Sequence, residues 1–574
     1  MTKIRNPGCA FCVNCPQPDR YGRRLMTLSS RLLSLVLLVS FAVGCGEPVT
    51  RAQRAAGVQV GGESGVELAE RQVLHRGNGT EPQSLDPHKS EGVPESNLQR
   101  DLFEGLTNDD PQVGIVPGAA ASWKISADGL VYTFQMREDG RWSNGDPVTA
   151  HDFVYGLRRL VDPRTLSNYG IMLRPILNAE PIIAGELPPE ELGVRAIDDL
   201  TLEIRLTGPT PYFLGVLTSS VSFPVHRATV EQYGGRWARP GRLVSNGAYR
   251  LRDWVTQSHI VLERNPYYWD NANTTIDEVW FYPIETPSTE LQRYRADELD
   301  MTDSLPLPQL GWIRANLPDE LKIAEYLGVY FFGLNVTREP FKDNAKLRRA
   351  LNLAIDREII TDQVTRAGNI PAYGYVPSVA NYEQVVPEWA HWTQEERNAE
   401  ARRLYEAAGY STDRPLRLQI LYNTDENNRT IAVAISSMWK DVLGIDTELI
   451  NEEWKVYLET RRTRQSTQVY RAGWIGDYND AFTFLEIFHS ESGLNDSGWS
   501  DARFDELLAL AAQENDLERR AGYMREAEEI MMEELPVIPV FFGVTKRLVK
   551  PWVGNYRPHI QDYVYTKDLK ILKH

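Results

Sequence analysis

The sequence predicts an α/β protein with room for two or three domains, and three observations carry that prediction. Strictly alternating stretches, Tyr132, Phe134 and Met136 or Leu202, Ile204 and Leu206, mark half-buried strands. Stretches with apolar residues every three or four positions mark helices, and the two kinds are interspersed along the chain. With 574 residues, 42% of them hydrophobic and 10% aromatic, more than one core can be buried. No internal repeat is evident, which disfavours a solenoid or propeller.

In chain order, Met26-Thr-Leu-Ser-Ser-Arg31 followed by the apolar run Leu32 to Val43 reads as a complete export signal. A start at Met26 in place of Met1 leaves residues 1–25 untranslated. The run is too short to span a bilayer and ends in Ala42-Val43-Gly44-Cys45, which resembles a bacterial lipobox, so Cys45 is the expected lipid carrier. The alternative is an ordinary cysteine near a cleavage site. Arg23-Arg24 suggests twin-arginine export, but the residues after it fit that pattern poorly. Residues 46–71, rich in Gly, Ala, Glu and Arg without apolar periodicity, read as a flexible tether.

Further along, Leu347, Leu351, Ala354, Ile355 and Ile359 predict an amphipathic helix over Lys346 to Ile360, with Arg348, Arg349 and Arg357 off its apolar face. Ile431, Ile435, Met438 and Val442 predict another, stopped by Gly444 and followed by a strand over Thr447 to Ile450. Val329 to Leu334 and Val537 to Val544 read as heavily buried strands where the chain crosses between lobes.

A net charge of −17 repels phosphate backbones, so no nucleic-acid partner is expected. The four cysteines, Cys9, Cys12, Cys15 and Cys45, all precede the globular part, which excludes disulfides within it. Cys9, Cys12 and Cys15 have the spacing of a soft-metal set but lack a nearby fourth ligand. The nine histidines are scattered, and neither metal nor cofactor is expected.

Several motifs carry a resemblance. Arg76-Gly-Asn-Gly-Thr-Glu-Pro-Gln-Ser-Leu-Asp-Pro87, Glu91-Gly-Val-Pro-Glu95, Arg141-Trp-Ser-Asn-Gly-Asp-Pro-Val-Thr-Ala150 with Asp152-Phe-Val-Tyr155, Asn246-Gly-Ala-Tyr249, Glu263-Arg-Asn-Pro-Tyr-Tyr-Trp269, Arg471-Ala-Gly-Trp474, Asp477-Tyr-Asn479 and Lys550-Pro-Trp-Val-Gly554 occur in this order. Together they resemble the oligopeptide-binding proteins of ABC importers, bacterial extracellular solute-binding protein family 5, over residues 72–574. The resemblance implies a type II periplasmic-binding-protein fold, two lobes closing by a hinge, with an extra domain on the first lobe. Lobe I would comprise 72–103, 228–328 and 545–574, the extra domain 104–227, and lobe II 329–544. It also implies a monomer, exported to the periplasm or cell envelope as a membrane-anchored lipoprotein, which delivers short peptides to permease and ATPase subunits.

A receptor for many peptides must hold what all peptides share: an α-ammonium, an α-carboxylate and spaced backbone groups, which strand addition satisfies. In Arg471 to Asp477 the pattern is strand-like, Gly473 permits close backbone approach, and Asp477 can neutralise an ammonium. By the resemblance, Asp477 anchors the peptide N-terminus, with Trp474 and Ile475 beside it and backbone from Glu91 and Val93 on the opposite lobe. A turn residue is the plainer account of Asp477, and a proline-containing loop that of Glu91 to Glu95. Carboxylate capture falls to Arg338, Arg461 and Arg471, each equally explicable as solvated or paired in place. Relatives place a histidine where this chain has Asn428, which puts carboxylate binding there in doubt, and Trp454 is a pocket wall or a core residue.

A peptidase is the rival from another class. The chain has no His-Glu-x-x-His helix, no Gly-x-Ser-x-Gly elbow and no cysteine in its globular part, so the resemblance to a receptor and not an enzyme is preferred. Dipeptides, murein peptides or metal complexes remain alternative ligands for the same architecture.

Overall fold

A computed structural model describes residues 67–411 and 413–574. The export signal, Cys45 and the three earlier cysteines lie outside the described residues. Residues 67–71, anticipated as the end of the tether, are instead pinned to the C-terminal segment. Gln72 explains this: its buried amide donates to Ala69 O and Ile571 O, both at 2.9 Å, and accepts from Ile571 N.

Strand β1 (Val73–Gly77) leads to helix α1 (Val93–Leu102), which opens with Pro94 in its first turn. Strands β2 (Thr107–Asp110) and β3 (Gly114–Pro117) form a hairpin. Next come β4 (Ala120–Ile125), β5 (Val131–Met136), helix α2 (Ala150–Val161), β6 (Val194–Asp198) and β7 (Thr201–Arg205), the strands forming a sheet in the order β4-β5-β7-β6. The predicted alternation holds, with Tyr132, Phe134, Met136, Leu202 and Ile204 buried on one face. The Arg141 to Ala150 motif folds as a turn and a helix start. Trp142 N donates to Asp146 O at 2.8 Å, and Thr149 N donates to the Asp152 carboxylate at 2.7 Å as half of a capping box.

Strands β8 (Tyr249–Val255), β9 (His259–Arg264) and β10 (Glu278–Tyr282) run antiparallel, and β10 lies parallel to β1, giving the order β1-β10-β9-β8. The rest of the chain centres on six strands: β11 (Leu321–Leu334), β12 (Ile370–Pro371), β13 (Arg417–Asn423), β14 (Asp446–Glu452), β15 (Val469–Ile475) and β16 (Val537–Leu548), in the order β12-β16-β11-β15-β13-β14. Alternate residues of β11 enter two different cores: Tyr330, Phe332 and Leu334 one, Val329 and Phe331 the other. Helices cover both faces, so the strand reads as one apolar run.

β11 and β16 are longer than their apolar stretches suggested. Beyond the buried halves they pair again, from Leu321↔Leu548 to Glu325↔Val544, with a break in register before Val329↔Phe542. Their outer ends are tied to the neighbourhood of β1, because Leu548 N donates to Thr302 Oγ1 and Gly77 N to Met301 O.

The helix predicted over Lys346 to Ile360 is broken. Helix α3 (Ala345–Leu353) ends, Asp356 caps a new start by accepting from Ile359 N at 2.9 Å, and a π-helical turn spans Ile360–Thr365. Arg348 and Arg357, expected on the polar face, are buried. The Arg357 guanidinium is what occupies the break, donating to the carbonyls of Ala372, Pro539, Asn352 and Ile355. Helix α4 (Glu426–Leu443) does stop at Gly444, whose φ is +73°. Its core face is Ile431, Ala432, Ile435, Trp439 and Leu443, rotated from the predicted one, with Met438 and Val442 only partly buried. No helix among the described residues is long and apolar enough to cross a membrane.

Candidate functional site

The site begins with a strand that has one free edge. β15 pairs antiparallel with β11 along its whole length, but with β13 only at Val469 and Tyr470. Gly476 N donates to Leu327 O at 2.8 Å. Hydrogen-bonded pairs alternate in an antiparallel ladder, so Ala472 and Trp474 bond β11 while the backbone groups of Arg471, Gly473 and Ile475 face away from it. Tyr457, whose hydroxyl donates to Arg471 O, takes the first of them. Those of Gly473 and Ile475 face a cavity of about 480 Å³. A Cβ on Gly473 would lie 3.3 Å from Val329 O of the paired strand, a tight contact that glycine avoids.

The cavity brings together most of the sequence-predicted residues: Glu91, Val93, Asn428, Trp454, Arg461, Arg471, Gly473, Trp474, Ile475 and Asp477 all line it. Asp477 stands just past the end of β15. Its carboxylate accepts from Thr483 Oγ1 at 3.4 Å and makes no ion pair among the described residues. Burial pushes its pKa up to about 7, against a smaller opposing pull from the Arg100 guanidinium. That guanidinium is itself committed, donating to Thr218 O at 3.0 Å and stacked on Tyr563. Glu95, also in the wall, is pushed up to about 8 by burial.

The expected Glu91 to Glu95 loop is a helix start. Gly92 has φ +113°, Val93 is the first residue of α1, and its N–H belongs to the unpaired first turn. The Glu91 side chain pairs with Arg462, a residue that nothing in the sequence distinguished from its neighbour Arg461.

The predicted carboxylate-binding arginines fare differently. Arg338 does not line the cavity and donates instead to the carbonyls of Gln465 and Arg464. Arg461 lines it but pairs with Asp496 at 2.5 Å. Arg471 makes one long bond, 3.3 Å to Asn423 Oδ1, and its Nε has no partner among the described residues. Asn428 is held by polar neighbours, donating to Asn423 Oδ1 at 3.0 Å and accepting from the Tyr330 hydroxyl. Sequence reading missed Lys546, in the cavity wall on β16, although a lysine in phase with Val544 and Leu548 was a signal.

In the cavity wall, Tyr169 stacks on Trp474 with ring centroids 6.2 Å apart. Outside the wall, Tyr212 stacks on Tyr478 at 4.6 Å. Each pair joins the segment of residues 104–227 to the segment that carries or follows β15.

The family model described as bacterial extracellular solute-binding proteins, family 5 Middle, matches residues 114–496. The chain is 44% identical over 516 residues to the periplasmic oligopeptide-binding protein OppA of Escherichia coli, covering 89% of this chain and 94% of that protein. The crystal structure of Haemophilus influenzae OppA in complex with RPPGFSPFR superposes with a TM-score of 0.86 at 42% identity, covering 88% of this chain and all of that one. The murein tripeptide binding protein MppA of Escherichia coli, 40% identical, gives 0.86 in one structure and 0.63 in its unliganded open form, covering 88% and 89% of this chain and 100% and 99% of those. The chain described here therefore has the arrangement of the first, not the open one.

Proposed function

Because the chain belongs to the bacterial extracellular solute-binding proteins, family 5, we propose that it captures short peptides in extended form and delivers them to the permease and ATPase subunits of an ABC importer. One observation carries the reading: a strand edge with free backbone groups at Gly473 and Ile475 ends beside an unpaired carboxylate, Asp477. A peptide laid along that edge extends the sheet, and its ammonium supplies the cation that Asp477 lacks. From Asp477 back to Arg471 is six residues, about 20 Å of strand, so a peptide of several residues spans the distance between an ammonium anchor and the Arg471 guanidinium.

The two lobes are residues 72–103, 228–328 and 545–574 on one side and 329–544 on the other, with 104–227 as the added domain and β11 and β16 as the crossings. Closure brings Glu91 and Val93 over the bound peptide. The protein acts as a receptor and not an enzyme, is exported, and is held at a membrane through lipid on Cys45.

The test is calorimetric. The purified protein is unfolded to release carried-over ligand, refolded, and titrated with a tripeptide mixture and with its N-acetylated counterpart. Binding that acetylation abolishes is the expected result. Equal binding of both would remove Asp477 as an ammonium anchor, and binding of neither would leave a receptor for another solute.

A further inference from the structure

We propose that residues 104–227 form the latch of the closed receptor: Tyr212 docks on Tyr478, Phe482 and Arg520 of the second lobe, outside the peptide cavity, and so sets how slowly a bound peptide leaves. The inference rests on the two-lobe peptide reading and gives a role to the domain to which that reading assigns none.

The segment meets the second lobe in two places. Tyr169, Ser219, Ser220 and Val221 line the cavity, whereas Tyr212 and Gly215 do not. Tyr212 instead lies flat on Tyr478, with ring centroids 4.6 Å apart and planes 7° from parallel, and Phe482 stands beside it at 5.5 Å. The Arg520 guanidinium is 4.9 Å from the centroid of the same ring. Its fork is fixed by Asp480, to which it donates at 2.7 and 2.9 Å, so it meets Tyr212 already oriented. Tyr478 is oriented too, its hydroxyl donating to Glu486 at 2.7 Å. The surface that receives Tyr212 is therefore built within the second lobe, and docking orders little besides the incoming ring.

Packing agrees. Among the described residues, Tyr478 is the one residue of 329–544 that is a buried member of the core formed by the first lobe and residues 104–227. A Cβ on Gly215, in the short helix Phe213–Val216, would stand 2.9 Å from Tyr478 Cβ. Outside that glycine's own helix and chain neighbours, Tyr478 supplies the only described atoms within 4 Å of it. Nearby the arrangement is reversed, and a Cβ on Gly493 of the second lobe would meet Asn168 at 3.3 Å. Arg174 and Glu491 also pair across the seam at 3.1 Å, but Glu491 is 72% exposed, so the aromatic stack outweighs that pair.

Asp477 and Tyr478 are consecutive. The same stretch of backbone carries the ammonium anchor in the cavity wall and the latch ring outside it, so a peptide held at Asp477 and closure onto Tyr212 fix neighbouring residues. A contact made only in the closed arrangement stabilises that arrangement for every peptide alike, and release must break it.

The experiment follows release of isotopically labelled trialanine and trilysine from the refolded full-length protein, chased with excess unlabelled peptide. The variants are Tyr212→Ala, which removes the ring, and Gly215→Ala, whose added methyl meets Tyr478 on closure and otherwise favours its own helix. Each should speed release of both peptides by the same factor, about tenfold or more. Urea unfolding of the ligand-free protein separates a latch from a merely structural contact, and Gly215→Ala should leave it unchanged.

Wild-type release rates in the variants would overturn the latch while leaving peptide capture standing. So would a factor confined to one peptide, which would place the effect inside the cavity, or a ligand-free Gly215→Ala protein destabilised to match its faster release. If Tyr212→Ala fails to fold, Gly215→Ala decides alone. A wild type that binds neither peptide refutes the peptide reading and the latch's role in release with it.

Discussion

The indole of Trp454 lies 2.8 Å from where a Cβ on Gly92 would stand, and Gly92 holds φ at +113°. Two independent constraints therefore require glycine: the backbone angle and the ring packed against it. The contact joins the entry to α1 with the helix that begins at Trp454, and both residues line the cavity. Gly92→Ala should weaken peptide binding by about 1–3 kcal/mol, through strain at this angle and a ring pushed outward. Titration calorimetry on the variant checks this, and an affinity equal to wild type would show that closure does not depend on the contact.

Asp477 supplies a prediction with a pH signature. Removing the carboxylate with Asp477→Asn should cost about 2–5 kcal/mol of peptide affinity, since an ammonium would be buried unpaired. In the free protein burial holds the group near pKa 7, so it takes up a proton as pH falls through that value, and the ligand must displace it. Affinity should be highest between about pH 7 and 8, drop about 15- to 20-fold by pH 5.5, and fall again at higher pH as the peptide α-amine deprotonates. Calorimetry across this range tests the profile, and the acid limb should flatten in Asp477→Asn.

Arg357 makes a prediction about stability alone. Its buried guanidinium serves four backbone carbonyls at the interruption after α3, one of them from β16. Arg357→Met should lower unfolding free energy by about 3–5 kcal/mol, because those carbonyls lose their donors inside the core. Urea unfolding reads the change directly. Arg357→Lys should recover little, since a single ammonium cannot reach acceptors arranged around a planar fork.

Cys45 makes a prediction about location. Cys45→Ser should abolish incorporation of labelled fatty acid and move the protein from the membrane to the soluble fraction on cell fractionation. Retention in the membrane would assign the attachment to something other than this residue.

Local features were legible because they have local causes. Alternation in Tyr132, Phe134 and Met136 follows from the two-residue period of a strand, and Gly444 stops α4 because only a left-handed residue ends a helix in that way. Arg471 to Asp477 could be read as a strand ending at an acid because every feature needed lies within seven residues.

What depended on distant partners was not legible. Arg348 and Arg357 have a surface pattern in sequence and are buried in the fold, since the carbonyls that accept from Arg357 include one from β16 and one beyond the π-helical turn. Arg338, Arg461 and Arg471 are equivalent as residue types. Only the assembled chain commits the first to backbone, pairs the second with Asp496, and leaves the third with one long bond to Asn423 and no ion pair among the described residues. The sequence by itself determined the α/β class, the periodic elements and the acid at the end of β15. The tertiary structure decided which charges lack counter-ions, because charge pairing depends on distances of a few ångströms between segments tens of residues apart or more.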